Sequence, residues 1–328
     1  MNHDAIVECV PNFSEGTDVG KVREIVAAMN VEGVRLLDWS LDGAHNRSVV
    51  TVAGAPEAVM EAAVRATGKA AQLIDLTQQS GVHPRIGAAD VVPFVPVSGI
   101  SLAECAVLAR QAGLQIWRRY GVPVYFYGAA AMRPDRVELE DVRRGQFEGL
   151  REAAAKDAMR RPDVGGPELH SRAGASAVGA RSFLIAYNVY IEPAGVSLQA
   201  SSGSDGAANT LQLQPEIAAA RAIARDIRDS RAMNGGLRGV KAIGVMANGR
   251  AQVSMNITDY RATPMRQVYE TVKAIAARHG VGIAEGELIG LIPEAAFEPE
   301  SDWVRQTSGF DSELKVLERK LHRPMEWP

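Results

Sequence analysis

The chain has 328 residues, 46% of them apolar and 23% charged, and a formal net charge of −3. That length supports two domains with sizeable cores, and the charge excludes a general nucleic-acid binder, which would be strongly basic. Two cysteines in apolar surroundings, Cys9 and Cys105, give no disulfide framework and no metal-ligand spacing; no run approaches the ~18 apolar residues of a membrane span, and MNHDAIVECV lacks a signal-peptide pattern, so a cytoplasmic protein without membrane or nucleic-acid partners is expected.

In chain order, AIVECVPNF predicts a strand ended by a prolyl turn. Val19, Val22, Val26 and Met29 then mark an amphipathic helix. GVRLLDWS and RSVVTVAG, joined by the turn-rich LDGAHNR, predict a hairpin. An Ala-rich helix over 55–75 and the strand VVPFVPV complete the order β-α-β-β-α-β, the split βαβ or ferredoxin-like arrangement. One more unit follows: a helix opened by the capping box Ser101 and Glu104 and closed by Gly121, then the strand VPVYFYG. Residues 131–172 form a polar, basic stretch.

SFLIAYNVYI opens a second strand-rich block. A helix is predicted from about Pro215 to Arg231, and ANGR between GVKAIGVM and AQVSMNI is an Asn-Gly hairpin signal. Thr263 caps the next helix, with Pro264 at its first position and Gly280 past its end. GVGIAEGELIG reads as strand and turn, and Pro293 to Phe297 and Asp311 to Leu321 as closing helical pieces. Both blocks have the same order of elements. The expected fold is therefore α+β, two duplicated ferredoxin-like (βαββαβ) subdomains over 1–180 and 181–328, with the boundary near Arg181.

Chemistry concentrates in SGVHPRIGAADVVPFVP, where His83, Arg85 and Asp90 crowd a turn before a strand. Pro84 restricts His83 to extended backbone conformations. Asp90 reads as a local cap or pair. His45 stands beside Asn46 and Arg47 in DGAHNRS. His170 and His322 read as solvated, and His279 as a charge at a helix C-terminus. GASAVGAR, from Gly174 to Arg181, has neither the G-x-G-x-x-G spacing nor a P-loop Lys, so it is no nucleotide loop.

VECVPNFSEG, LLDW…HNRSVVTVAG, GVHPRIGAADVVPFVPV, VPVYFYG, RRGQFEGL, GASAVGARSFLIAYN and QVSMNITDY occur together and in order. Jointly they resemble the formiminotransferase domain family over about residues 5–325, in its stand-alone bacterial form. The resemblance implies a folate-binding groove between two ferredoxin-like subdomains, a homodimer, and a role in histidine breakdown and one-carbon metabolism. It also implies an enzyme that moves the formimino group of N-formimino-L-glutamate to N5 of tetrahydrofolate, giving 5-formimino-tetrahydrofolate and glutamate. Tetrahydrofolate is then a co-substrate, and no metal is expected. Formyl transfer involving N-formylglutamate or 5-formyl-tetrahydrofolate, and a non-catalytic folate-binding module, are the alternatives.

Within that resemblance His83 matches the family's catalytic histidine, the general acid/base that takes a proton from one nitrogen and gives one to the other. Asp38 keeps the first carboxylate of an animal D-x-D pattern, and Ser40 stands at the second. Asp42 is the expected substitute that supports His83, or else it closes its own Asx turn. Arg47, Arg85, Arg143 and Arg181 are candidates to bind substrate carboxylates as bidentate forks. Gly174, Ala175, Ser176 and Gly179 are expected to line the folate site, because small residues let a flat pterin approach backbone groups. Asn12, Asn46 and Asn188 are further substrate-binding candidates; Asn12 and Glu15 would otherwise shape a turn and cap the following helix.

Overall fold

A computed structural model of the chain describes residues 5–43, 45–81, 84–193, 214–230, 236–247 and 249–328. It is a mixed α+β structure that divides into two compact units, Met1–Ser182 with Arg323–Pro328, and Phe183–His322. The last six residues were expected with the C-terminal part. They belong instead to the first unit, where the Met325 N–H donates to the Leu36 carbonyl at 2.7 Å and Met325 and Trp327 pack on the core.

In the first unit, β1 (Ile6–Cys9) and β2 (Asn12–Phe13) are one run interrupted at Pro11, which has no N–H to give the ladder. Both lie between β4 (Arg47–Gly54) and β5 (Ala89–Ser98), with antiparallel pairing on each side. β3 (Val34–Asp42) is the outermost strand and pairs with β4 alone. On the far side β7 (Ser176–Ala180) lies parallel between β5 and β6 (Val124–Gly128).

Helices α1 (Val19–Ala28), α2 (Pro56–Leu73) and α3 (Leu102–Tyr120) supply Ile25, Val59 and Leu108 to one core, into which the strands place Val50, Val52, Val92 and Phe94. Ser101 and Glu104 make the predicted capping box, and Gly121 closes α3 with φ +65°. Because strand side chains alternate, Arg47, Val49 and Thr51 point to the opposite face. The 131–172 stretch, read as polar, covers part of that face. Its helices α4 (Leu139–Val142) and α5 (Gln146–Lys156) bury Val142, Leu150 and Ala154 against Val91, Tyr125, Tyr127 and Ala177.

The second unit is a four-stranded antiparallel sheet in the order β11 (Val281–Ile289), β8 (Ile185–Pro193), β10 (Arg250–Ile257), β9 (Val240–Ala247). Ala247 faces Arg250 across the predicted two-residue hairpin. α6 (Gln214–Ser230) and α7 (Met265–Arg278) pack Ile223, Ile227, Val268 and Val272 on one sheet face. Thr263 is not the cap of α7: its hydroxyl donates to the Arg238 carbonyl, and Pro264 occupies the N-cap position without a side-chain acceptor. No described helix is long and apolar enough to cross a membrane.

Candidate functional site

A cleft in the first unit is lined by Phe13, Ser14, His45, Asn46, Arg47, Arg85 and Asp90. It forms where the β3–β4 hairpin, the turn after β2 and the loop preceding β5 converge. Asn46 ties these three together. Its Oδ1 accepts the Gly16 N–H at 2.9 Å and its Nδ2 donates to the Ser80 carbonyl at 2.7 Å, while Gln79 donates to its carbonyl at 3.1 Å. Asn46 has φ +48°, a left-handed value that Asn tolerates better than most residues.

The loop is held from its other side by Arg85. This buried side chain donates to Gln79 Oε1 at 2.6 Å, to the carbonyls of Gln79 and Leu76, and to the Glu148 carboxylate on α5 at 3.0 Å. Arg85 was expected to meet a substrate carboxylate; its described hydrogen bonds make it a clamp on the loop. Gln79 and Glu148, its partners, carry no sequence signal, because one sits in a turn and the other on an exposed helix position.

Charge is concentrated around Asp90, which is 3% exposed. One of its oxygens accepts the Ile86 N–H at 2.8 Å, and the other takes the guanidinium of Arg143. Arg47 is bound to Asn12 Oδ1 through Nε at 2.8 Å. Burial, with the nearby Arg143 cation as the next cause and against the pull of Asp90, brings the Arg47 guanidinium down to about 10. Arg143 Nε is buried with no hydrogen-bond partner. Two guanidiniums thus lie near the buried Asp90 carboxylate, and Asp42 adds a weaker pull on Arg47.

Asp42 lies at the end of β3 and meets His45. Its Oδ1 accepts the His45 N–H at 3.0 Å and its Oδ2 is 2.5 Å from His45 Nδ1. The Asx-type turn is therefore present, and the imidazole paired with Asp42 among the described contacts is His45. Asp38 is half-buried on β3 opposite Thr51, after a bulge between Leu36 and Asp38. His83 lies outside the described residues.

The GASAVGAR segment is β7 and its approach. Ala173 and Ala175 exchange backbone hydrogen bonds with Ala88 and Ile86, so Gly174 lies against Gly87. A Cβ on Gly174 would sit 2.1 Å from the Ile86 carbonyl oxygen, and one on Gly179 2.5 Å from the Tyr127 ring. Internal packing therefore requires both glycines. Ala175 and Ser176 are buried in the same strand, and the Ser176 hydroxyl has no partner. Arg181 follows β7, where its N–H donates to the Phe94 carbonyl and its guanidinium to the Ser182 carbonyl.

Asn188 is in the second unit, on the sheet face away from α6 and α7. There it donates to Glu287 at 3.1 Å, and Tyr190 and Gln252 donate to the same carboxylate oxygen. Glu15 is buried and caps the next turn, accepting from the N–H groups of Thr17 and Asp18 and pairing with Lys21. His170, expected in solvent, accepts the Ala173 N–H at 3.0 Å and holds the turn before β7; burial and then Arg172 lower its pKa.

Comparison with known proteins agrees with the sequence resemblance. Residues 6–181 match the Formiminotransferase domain, N-terminal subdomain, and residues 208–318 the Formiminotransferase domain. Glutamate formimidoyltransferase of Thermoplasma acidophilum is 40% identical over 97% of this chain and 98% of its own. The enzyme of the same name from Streptococcus pyogenes is 39% identical over 96% of this chain and 98% of its own. Formimidoyltransferase-cyclodeaminase of Dictyostelium discoideum is 37% identical over 91% of this chain, which spans 52% of that longer protein. On these matches the chain belongs to the formiminotransferase family.

Proposed function

We propose that the protein is a glutamate formimidoyltransferase, moving the formimino group of N-formimino-L-glutamate to N5 of tetrahydrofolate and releasing glutamate. Near-full-length similarity to enzymes of that name supports the reaction. The observation that carries the site is the Arg47–Arg143 pair, two guanidiniums near Asp90, with Arg143 Nε buried and without a hydrogen-bond partner. Both substrates carry carboxylates, and a carboxylate seated there offsets the repulsion of the two cations.

N5 attacks the formimino carbon and gives a tetrahedral adduct. N5 must then lose a proton and the departing glutamate nitrogen must gain one. His83 is the group assigned to proton transfer at N5, with its backbone restricted by Pro84. Each unit contains two helices connecting four strands in the order 2-3-1-4, to which the first unit adds α3, β6, β7 and the 131–172 stretch; the two are read as duplicated ferredoxin-like subdomains, with the N-terminal one carrying the acid/base. A homodimer and a cytoplasmic location complete the reading.

The test mixes the protein with tetrahydrofolate and either N-formimino- or N-formyl-glutamate and identifies the folate product by mass. Formimino-tetrahydrofolate from the first donor is expected. Product from the formyl donor alone overturns the donor assignment, and no product from either makes the protein a binding module. His83→Ala is expected to lower turnover on the order of 10²–10⁴-fold.

A further inference from the structure

Formimino transfer moves two protons, one off N5 and one onto the leaving nitrogen. Among the described residues lining the cleft, Arg47 is tied to Asn12, Arg85 clamps its loop, and Asp90 holds Ile86 and Arg143. The side chain of Asn46 joins Gly16 to Ser80. Each of these groups is thus engaged in holding the walls of the cleft. His45 is the imidazole among the described residues that line the cleft.

His45 is also held in one orientation. Asp42 grips it twice, at the backbone N–H and at Nδ1. Gly81, whose Cβ would come within 2.7 Å of the His45 carbonyl oxygen, packs against its backbone. A carboxylate on Nδ1 fixes the ring's orientation and selects its tautomer. Among the described residues, Asp42 on β3 pairs with the ring, and the other charged groups lining the cleft are Arg47 on β4 and Arg85 and Asp90 from the loop and start of β5.

From this we propose that His45, oriented by Asp42, is a second proton-transfer residue, the acid that protonates the departing glutamate nitrogen. The inference rests on the formimidoyltransferase reading. In the adduct the new N5–C bond is formed and N5 has released its proton to His83 and thence to water. On collapse the C–N bond to glutamate breaks, the nitrogen's electron pair takes a proton from the His45 imidazolium, and the C=N bond re-forms. Neutral His45 recovers its proton from water, so each turnover is balanced.

The experiment compares wild type with His45→Asn, His45→Gln and Asp42→Asn in formimino transfer, followed from pH 5 to 9. The Asn variant keeps a donor for Asp42 and so preserves the turn. Expected are a kcat lowered about 10²-fold or more in both His45 variants, KM values little changed, and one ionisation missing from the kcat profile. Asp42→Asn should lower kcat less and displace that ionisation. Variants with wild-type kcat and profile overturn the inference, as does a loss confined to KM. An inactive wild-type protein overturns instead the reading on which it rests. Unchanged thermal unfolding of His45→Asn separates lost chemistry from lost structure.

Discussion

Asp90 joins Arg143 through one carboxylate oxygen while its other oxygen holds the Ile86 N–H. A single buried anion thus connects α4, the loop after Pro84 and, through its field, Arg47. Asp90→Ala leaves Arg143 without its ion-pair partner, and removing one partner of a buried pair costs about 3–5 kcal/mol. Asp90→Asn retains an acceptor for Ile86 and is expected to lose less. Urea unfolding of both variants checks the order; equal, small losses would show the charge to be dispensable.

Gly174 and Gly179 answer to steric demands inside the sheet. Gly174 has φ +68° and the Ile86 carbonyl where a Cβ would stand. Gly174→Ala is expected to reduce stability by more than ~1 kcal/mol, and Gly174→Leu to prevent folding of the first unit. The reading is a lower urea midpoint for the Ala variant at unchanged slope. A Gly174→Leu protein that folds normally and loses only folate affinity would restore the ligand-lining role.

Arg143 keeps an unpartnered Nε in a buried setting. If it receives a substrate carboxylate, Arg143→Gln removes a charged hydrogen bond of about 1.5–3 kcal/mol. KM for one carboxylate substrate should then rise roughly ten- to a hundred-fold, with kcat less affected. Steady-state titrations of each substrate in turn identify which one, and unchanged KM for both removes Arg143 from the site.

Glu15 supplies an acid-sensitive contribution. Burial favours its neutral form, but hydrogen bonds from Asp18, Thr17 and Lys21 outweigh this and lower its pKa from 4.5. A carboxyl with a depressed folded pKa stabilises the protein above its unfolded value, and that stability is lost as pH falls through the folded one. Wild type should therefore lose stability below pH 4.5 more steeply than Glu15→Gln. Parallel curves of unfolding free energy against pH would contradict this.

Much of the fold was legible because its signals are local. Alternating apolar residues marked β4 and β8, the Ser101–Glu104 box marked α3, and Asn-Gly marked the β9–β10 turn. β7 was not legible as a strand because its Ala and Gly residues have low strand propensity, and the need for its glycines in close packing against Tyr127 and Ile86 shows only in three dimensions. The apolar side of the 131–172 stretch was hidden for a similar reason: few residues, spread over short helices, cover the second sheet face. Site residues were legible as types but not as partners. Arg85 and Arg143 look alike in sequence; Glu148 clamps one, and Asp90 leaves the other with a nitrogen to offer.

Met325 donates to the carbonyl of Leu36 on β3. A strand with one bare side is a template for another chain, and natural sheets shield such margins. Here the shield lies far downstream of the strand it covers, beyond the whole second unit. During synthesis the flank of β3 near Leu36 stays open to pairing until that segment has emerged, even if the rest of the first unit has already closed. A chain cut before Arg323 would leave this flank of β3 without its Met325 contact while the strands and helices of the first core remain.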